Sequence, residues 1–389
     1  MKNKKTVHVN DEITDAVNDF AYSTQSDEYN EQFIEWRRDR SNPYAYNSVI
    51  NGKESVFVEG KGFVIDSAAD YEMKVLNNVL FVIGAALMWG ILIDTFFEKI
   101  VVQMLEMAGV NIHNAFYSML IYGGRIEVIV VLIVITAAKY SVPLILLHTK
   151  LKMPKKVRCP KKINDPCEFI AAVAATMFVG VAAGFPVSYS NHNQEMYNFF
   201  KTYHADMSLL GQKSFVVYTI FDVVVVAAIS ELLFKGEMFA ALRQFGDAFA
   251  VVITSVFTGL FTQNIQVMFG SALMAAVSAS GMLRSGSIFT AIVSKMVYKL
   301  YLLVLTVIQS SGRDDMRSIR FIYITGILSV AVLVMLIIFM NDKRRRRAWI
   351  AKSSSQLSFA RKISAAVKSV PMTITILICL ISGGIKLFC

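Results

Sequence analysis

From residue 76 onward, apolar runs of roughly twenty residues follow one another, separated by more polar stretches. A run of that length matches the hydrocarbon core of a bilayer, where a helix satisfies its own backbone hydrogen bonds without water. The runs fall at 76–97, 126–147, 168–187, 214–234, 247–263, 265–283, 286–310, 319–341 and 370–388, which predicts about nine transmembrane helices. The expected fold is an all-α polytopic membrane protein with a small cytoplasmic N-terminal extension. A hydrophobic share of 55% agrees, because a soluble chain of that composition would expose large apolar patches.

Charge is distributed unevenly. Residues 1–75 carry fourteen acidic and nine basic groups, a balance of −5, whereas the whole chain is +10. The excess of positive charge therefore belongs to the hydrophobic part, where Lys and Arg gather in cytoplasmic loops. One such loop holds Lys150, Lys152, Lys155, Lys156, Arg158, Lys161 and Lys162; another runs from Lys343 through Arg347 to Lys368. Loop 188–213 carries only Lys201 and Lys213, and in loop 311–318 Arg313 and Arg317 flank Asp314 and Asp315. This alternation places the N-terminus in the cytoplasm and the C-terminus outside. It also makes membrane topology, and no nucleic acid, the reason for the basic charge. The lipid bilayer is the expected partner. Residues 342–369 have the density of cations that would hold anionic lipids, with Trp349, Ile350, Leu357 and Phe359 beside them, although positive-inside topology accounts for most of that charge.

Within residues 1–75, Val56–Val58 and Phe63–Ile65 flank Glu59-Gly-Lys-Gly62 and predict a short β-hairpin. The start lacks the apolar core of a cleavable signal, so the first apolar run is expected to direct insertion. Residues 98–122 place Ile100, Val101, Met104, Leu105 and Met107 at helical spacing, which suits an amphipathic helix in the interface or one packed on the bundle. Small residues, including Gly180 and Gly184 and the stretch Gly270 to Gly281, mark the third and sixth runs as interior.

Cys159, Cys167, Cys379 and Cys389 form no C-x-x-C pair, and the five histidines show no H-E-x-x-H spacing. No metal and no cofactor are expected. Cys389 ends the chain, whereas prenylation uses a cysteine four places from the end, where Lys386 stands.

Charges inside an apolar run are costly and mark functional positions. Asp222, Glu231, Lys295 and Lys299 are of this kind. Lys295 and Lys299, four apart, share a helix face; Asp222, nine residues before Glu231, is expected on the face opposite to it.

Three segments carry a resemblance. Ser230-Glu-Leu-Leu-Phe-Lys-Gly236 followed by Ala241-Leu-Arg-Gln-Phe-Gly246 resembles the first motif, E-E-x-x-x-R, of the CPBP family of CAAX-protease and bacteriocin-processing (Abi-like) intramembrane peptidases. Ile253 to Asn264 resembles the second-motif helix, F-x-x-x-H, and Arg284-Ser-Gly-Ser-Ile288 the turn before the last motif, H-x-x-x-N. The resemblance covers residues 230–299 and implies a CPBP-like helical core. It also implies a reaction in which paired glutamates and histidines activate water to attack a peptide bond at the membrane. Carried over by position, the first glutamate is Ser230, the second remains Glu231 and the arginine is Lys235. The phenylalanine and histidine of the second motif are Thr258 and Thr262, and the last histidine and asparagine are Lys295 and Lys299. The resemblance together with a Lys- and Ile-rich composition implies a bacterial host and a multi-pass protein of the cell membrane.

Hydroxyls do not ionise near neutral pH and cannot replace a carboxylate base or an imidazole. The substitutions therefore point to a pseudoprotease-like protein that binds a peptide or membrane-protein partner, with Glu231 neutralised by Lys295 or Lys299. A divergent intramembrane endopeptidase, using Glu231 or a Ser230–Lys295 dyad, is the alternative. A transporter is the third reading, disfavoured by the lack of an internal repeat. The domains read as 1–75, the N-terminal segment; 76–213, flanking helices; 214–310, the CPBP-like core; and 311–389, the last two helices with their basic loop.

Overall fold

The computed structural model describes residues 25–39, 41–46, 55–58, 62–65, 68–114, 121–123, 125–183, 213–310, 316–341, 355 and 357–388. Loop 188–212, the Lys343–Arg347 cluster, Trp349 and Ile350 lie outside them. The architecture is all-α and polytopic. Seven helices among the described residues are long and apolar enough to cross a membrane, or eight if one bent pair is a single span.

Chain order begins with α1 (Asp27–Arg38), then strands β1 (Ser55–Val58) and β2 (Gly62–Ile65), which pair antiparallel with Phe57 opposite Phe63. α2 (Ala68–Leu92) runs through a π-helical turn at Ile93–Phe97 directly into α3 (Glu98–Met107). Residues 98–107 thus prolong the first spanning helix, Ala69–Met107, rather than forming a separate interfacial one. A second small hairpin comes next, β3 (Ile112–Asn114) against β4 (Ile121–Gly123). Then come α4 (Arg125–Leu151), the short α5 (Lys155–Arg158) and α6 (Pro166–Ala183).

The next span, Phe215–Arg243, is one continuous rod interrupted by two π turns. It consists of α7 (Lys213–Ile220), a π turn at Phe221–Val226, α8 (Ala227–Glu231), a π turn at Leu232–Met238 and α9 (Phe239–Arg243). After it come α10 (Asp247–Leu260), α11 (Ile265–Ser285), α12 (Phe289–Ser310), α13 (Met316–Asn341), α14 (Phe359–Lys368) and α15 (Val370–Phe388).

The expected count of nine differs from the structure at 370–388, which counts as a span only together with α14, and at α10. Its 14 residues rise only about 21 Å at 1.5 Å each, short of the roughly 30 Å core. The apolar run 247–263 is long enough to be read as a span, but after Leu260 the chain turns through Thr262 and Gln263, the latter at φ 50°. Asn264 then caps α11, its side chain accepting from the Gln266 amide at 3.0 Å. α10 packs one broad face on protein, with Phe249, Ala250, Ile253 and Phe257 all buried, and leaves Val252 and Val256 exposed.

α6 and α11 form the tightest seam. A Cβ added at Gly281 would meet the Ala172 Cβ at 2.3 Å, so only glycine permits this approach, while Ile170 and Phe269 leave the outer faces of the two helices exposed. The lipid-facing rim is α13, where Ile322, Val330, Leu333 and Met340 are exposed. Large exposed apolar side chains along a spanning helix meet the bilayer.

One end of the bundle is tied together by long-range polar contacts. Trp36 Nε1 donates to Leu151 O at 3.1 Å, Ile288 N to Pro160 O at 2.9 Å, and Lys362 Nζ to Phe245 O. α1 lies across this end on Tyr29, Phe33, Trp36 and Arg37, spaced to share one face. Gln244 holds the segment after α1, accepting from Tyr46 N at 2.8 Å and donating to Tyr44 O at 2.9 Å.

Candidate functional site

α8 and α12 meet in the interior of the bundle, and the charged residues of the motif positions meet there. Lys295 Nζ stands 3.0 Å from Glu231 Oε1 and donates to Ser230 Oγ at 2.7 Å. Ser230 in turn donates to Ala227 O at 3.0 Å, one turn back on its own helix. Lys299, one turn along α12, pairs with Asp222. Ser230 and Glu231 are buried, at 0% and 4% exposure, so this pair is held inside protein.

The pairing of Asp222 with Lys299 corrects its expected place on the face opposite Glu231. In an unbroken α-helix nine residues subtend about half a turn net of full turns. The π turn at Phe221–Val226 intervenes, and each π turn takes up one extra residue, which rotates the rest of the helix by about 100°. Both carboxylates are thereby brought toward α12. The two lysines share a face as expected, and each meets its own carboxylate.

The remaining motif positions are arranged differently. Lys235, in the second π turn, is 1% exposed, and its ammonium has no hydrogen-bond partner among the described residues. It lies within electrostatic reach of both Glu231 and Lys295. Glu231 Oε2 is likewise buried and without a hydrogen-bond partner among the described residues. Thr258 donates to Thr254 O at 2.7 Å and Thr262 to Gly259 O at 2.7 Å, so both hydroxyl protons serve their own backbone. The structure therefore brings Ser230, Glu231, Lys295 and Lys235 together and leaves Thr258 inside α10 and Thr262 in the turn after it, each bonded to nearby backbone.

One ion pair beside this cluster was absent from the expectations. Lys139 Nζ on α4 lies 2.6 Å from Asp94 Oδ2 in the π turn after α2. Its ammonium sits 5.3 Å from the Phe261 ring centroid and 5.8 Å from that of Tyr140, within the range of cation–π attraction. Both residues interrupt apolar runs, and that interruption was the available signal. Further pairs lie elsewhere in the bundle: Arg158 to Glu237 at 3.1 Å, Arg243 to Asp247 at 2.8 Å, and Arg284 to Glu168.

Chemically, the cluster offers one carboxylate already engaged by an ammonium, a serine whose proton is given to a carbonyl, and a second ammonium with its hydrogen bonds unspent. Among the described residues no group of three or more His, Cys, Asp or Glu side chains is placed to hold a metal ion.

No curated protein and no solved structure matches the chain. Residues 212–301, which contain all of these motif positions, match the family described as Rce1-like, type II CAAX prenyl endopeptidase Rce1-like. This stretch of the multi-pass membrane protein is thus similar to that family of CAAX prenyl endopeptidases.

Proposed function

We propose that this protein is a non-catalytic member of the family that uses the old active-site region to bind a peptide or membrane-protein partner. The observation that carries this is the Lys295 ammonium, 3.0 Å from Glu231 and 2.7 Å from Ser230. A general base must have a lone pair free to take a proton from water. Here the one retained glutamate faces a cation, and the position of its partner glutamate is a serine that accepts from the same cation. The unspent donor capacity of Lys235 suits a bound peptide carbonyl or carboxylate, and the unspent acceptor Glu231 Oε2 suits a peptide N–H.

The same two orphaned atoms favour a second reading, a divergent endopeptidase in which a peptide and a water fill those positions. The test uses purified full-length protein and a prenylated CAAX peptide. The expected result is binding without cleavage above a protein-free control, with binding weakened by Lys235→Met. Cleavage by the parent protein above that control would establish the enzyme reading and remove the proposal.

The bundle end that carries α1 also carries Lys152, Lys155, Lys156 and Arg158. That charge supports a cytoplasmic location for this end, in a cell membrane, with anionic lipids gathered around it.

A further inference from the structure

At the same bundle end α14 and α15 meet at a bend of 73°. Beside the bend a cleft of about 530 Å³ opens between α2 and α14, within the roughly 300–1,000 Å³ typical of small-molecule sites. One wall is a stripe of α2, Met73, Asn77 and Phe81, spaced four residues apart and so on one face. The other wall is α14, which contributes Arg361, Ser364 and Lys368, with Ser369 and Val370 at the bend.

Arg361 and Lys368 are seven residues apart, two helical turns or about 10 Å, and both face the cleft. Both are exposed, neither has an ion-pair partner among the described residues, and no Asp or Glu lines the cleft among them. The Ser369 hydroxyl is buried there without a hydrogen-bond partner among the described residues. Phe81, in the fourth turn of α2, and Val370, at the start of α15, continue the cleft with apolar surface at 57% and 65% exposure. Cations and a hydroxyl above, with open apolar surface below, match an anion that carries hydrocarbon.

We propose that this cleft binds one anionic phospholipid, its phosphate between Arg361 and Lys368 and an acyl chain against Phe81 and Val370. The site is separate from the Glu231 cluster and does not depend on whether that cluster catalyses. Such a lipid fastens α14 to α2 at the membrane surface.

The experiment is native mass spectrometry of the full-length protein in detergent, titrated with phosphatidylglycerol or phosphatidylcholine. Phosphatidylglycerol is expected to bind about tenfold more tightly than phosphatidylcholine, and Arg361→Gln/Lys368→Gln to lose at least about tenfold, from two interfacial cations. The charge-keeping Arg361→Lys/Lys368→Arg protein should bind within about threefold of the parent. Ser364→Trp, which keeps both charges but fills the cleft, should abolish the adduct and serves if the double Gln variant fails to fold. Equal binding of the two lipids, or undiminished phosphatidylglycerol binding in Ser364→Trp, would overturn the proposal. Displacement of the lipid by an equimolar amount of inorganic phosphate would also overturn it, marking the site as one for free phosphate.

Discussion

The Glu231 carboxylate and the Lys295 ammonium lie 3.0 Å apart across the α8–α12 contact, at two positions that the resemblance sets against a glutamate and a histidine. Replacing a neutral or acidic neighbour by an ammonium changes what the glutamate can do. It becomes half of an ion pair that holds two spanning helices in register.

Removing one half of that pair strands the other. Glu231→Gln is expected to destabilise the protein by about 3–5 kcal/mol, because an unpaired buried ammonium remains. Glu231→Leu combined with Lys295→Met should recover most of the loss, since a buried pair and a packed apolar replacement differ little. Thermal unfolding in detergent measures both, and equal losses in the single and double variants would count against a direct pair.

Asp222 and Lys299 should couple to each other and not to the first pair's partner. A double-mutant cycle of Asp222→Asn with Lys299→Met is expected to give an interaction energy of about 1–3 kcal/mol, whereas Asp222→Asn with Lys295→Met should give a smaller one. The opposite ranking would contradict the π-turn register described for Phe221–Val226.

Gly90 is confined by α4: a Cβ there would come within 2.6 Å of Lys139 O and 2.7 Å of Phe261 Cζ. Gly90→Ala should push α4 away from α2 and cost about 1–3 kcal/mol, the range for overpacking. Gly270→Ala, with its nearest neighbour at 3.4 Å, should cost little by comparison. The same unfolding assay distinguishes them.

Gln244 joins the N-terminal segment to the bundle through Tyr46 N and Tyr44 O. Gln244→Ala leaves those two backbone groups without their partner and should cost about 1–3 kcal/mol. The expected signature is faster limited proteolysis within residues 25–46, with cleavage in the spanning helices unchanged.

Much of the bundle was legible in the residues themselves. Lipid leaves a chain few choices, so a run such as 319–341 appears as α13 with little help from its neighbours. The motif segments around Ser230, Glu231 and Lys295 were readable for a related reason: they are local strings, and the matched family segment 212–301 spans them all. Placing Lys295 and Lys299 on one face needed only the α-helical period.

The tertiary structure decided what periodicity could not. Hydropathy does not show where a helix stops inside an apolar run, so 247–263 read as a full span although α10 stops after 14 residues. A π turn leaves no reliable trace in the sequence, yet the one at Phe221–Val226 brings Asp222 round to Lys299. Which lysine neutralises Glu231 was likewise open until α8 and α12 packed, because an ion pair 64 residues apart in the chain is fixed by helix packing and by no local rule.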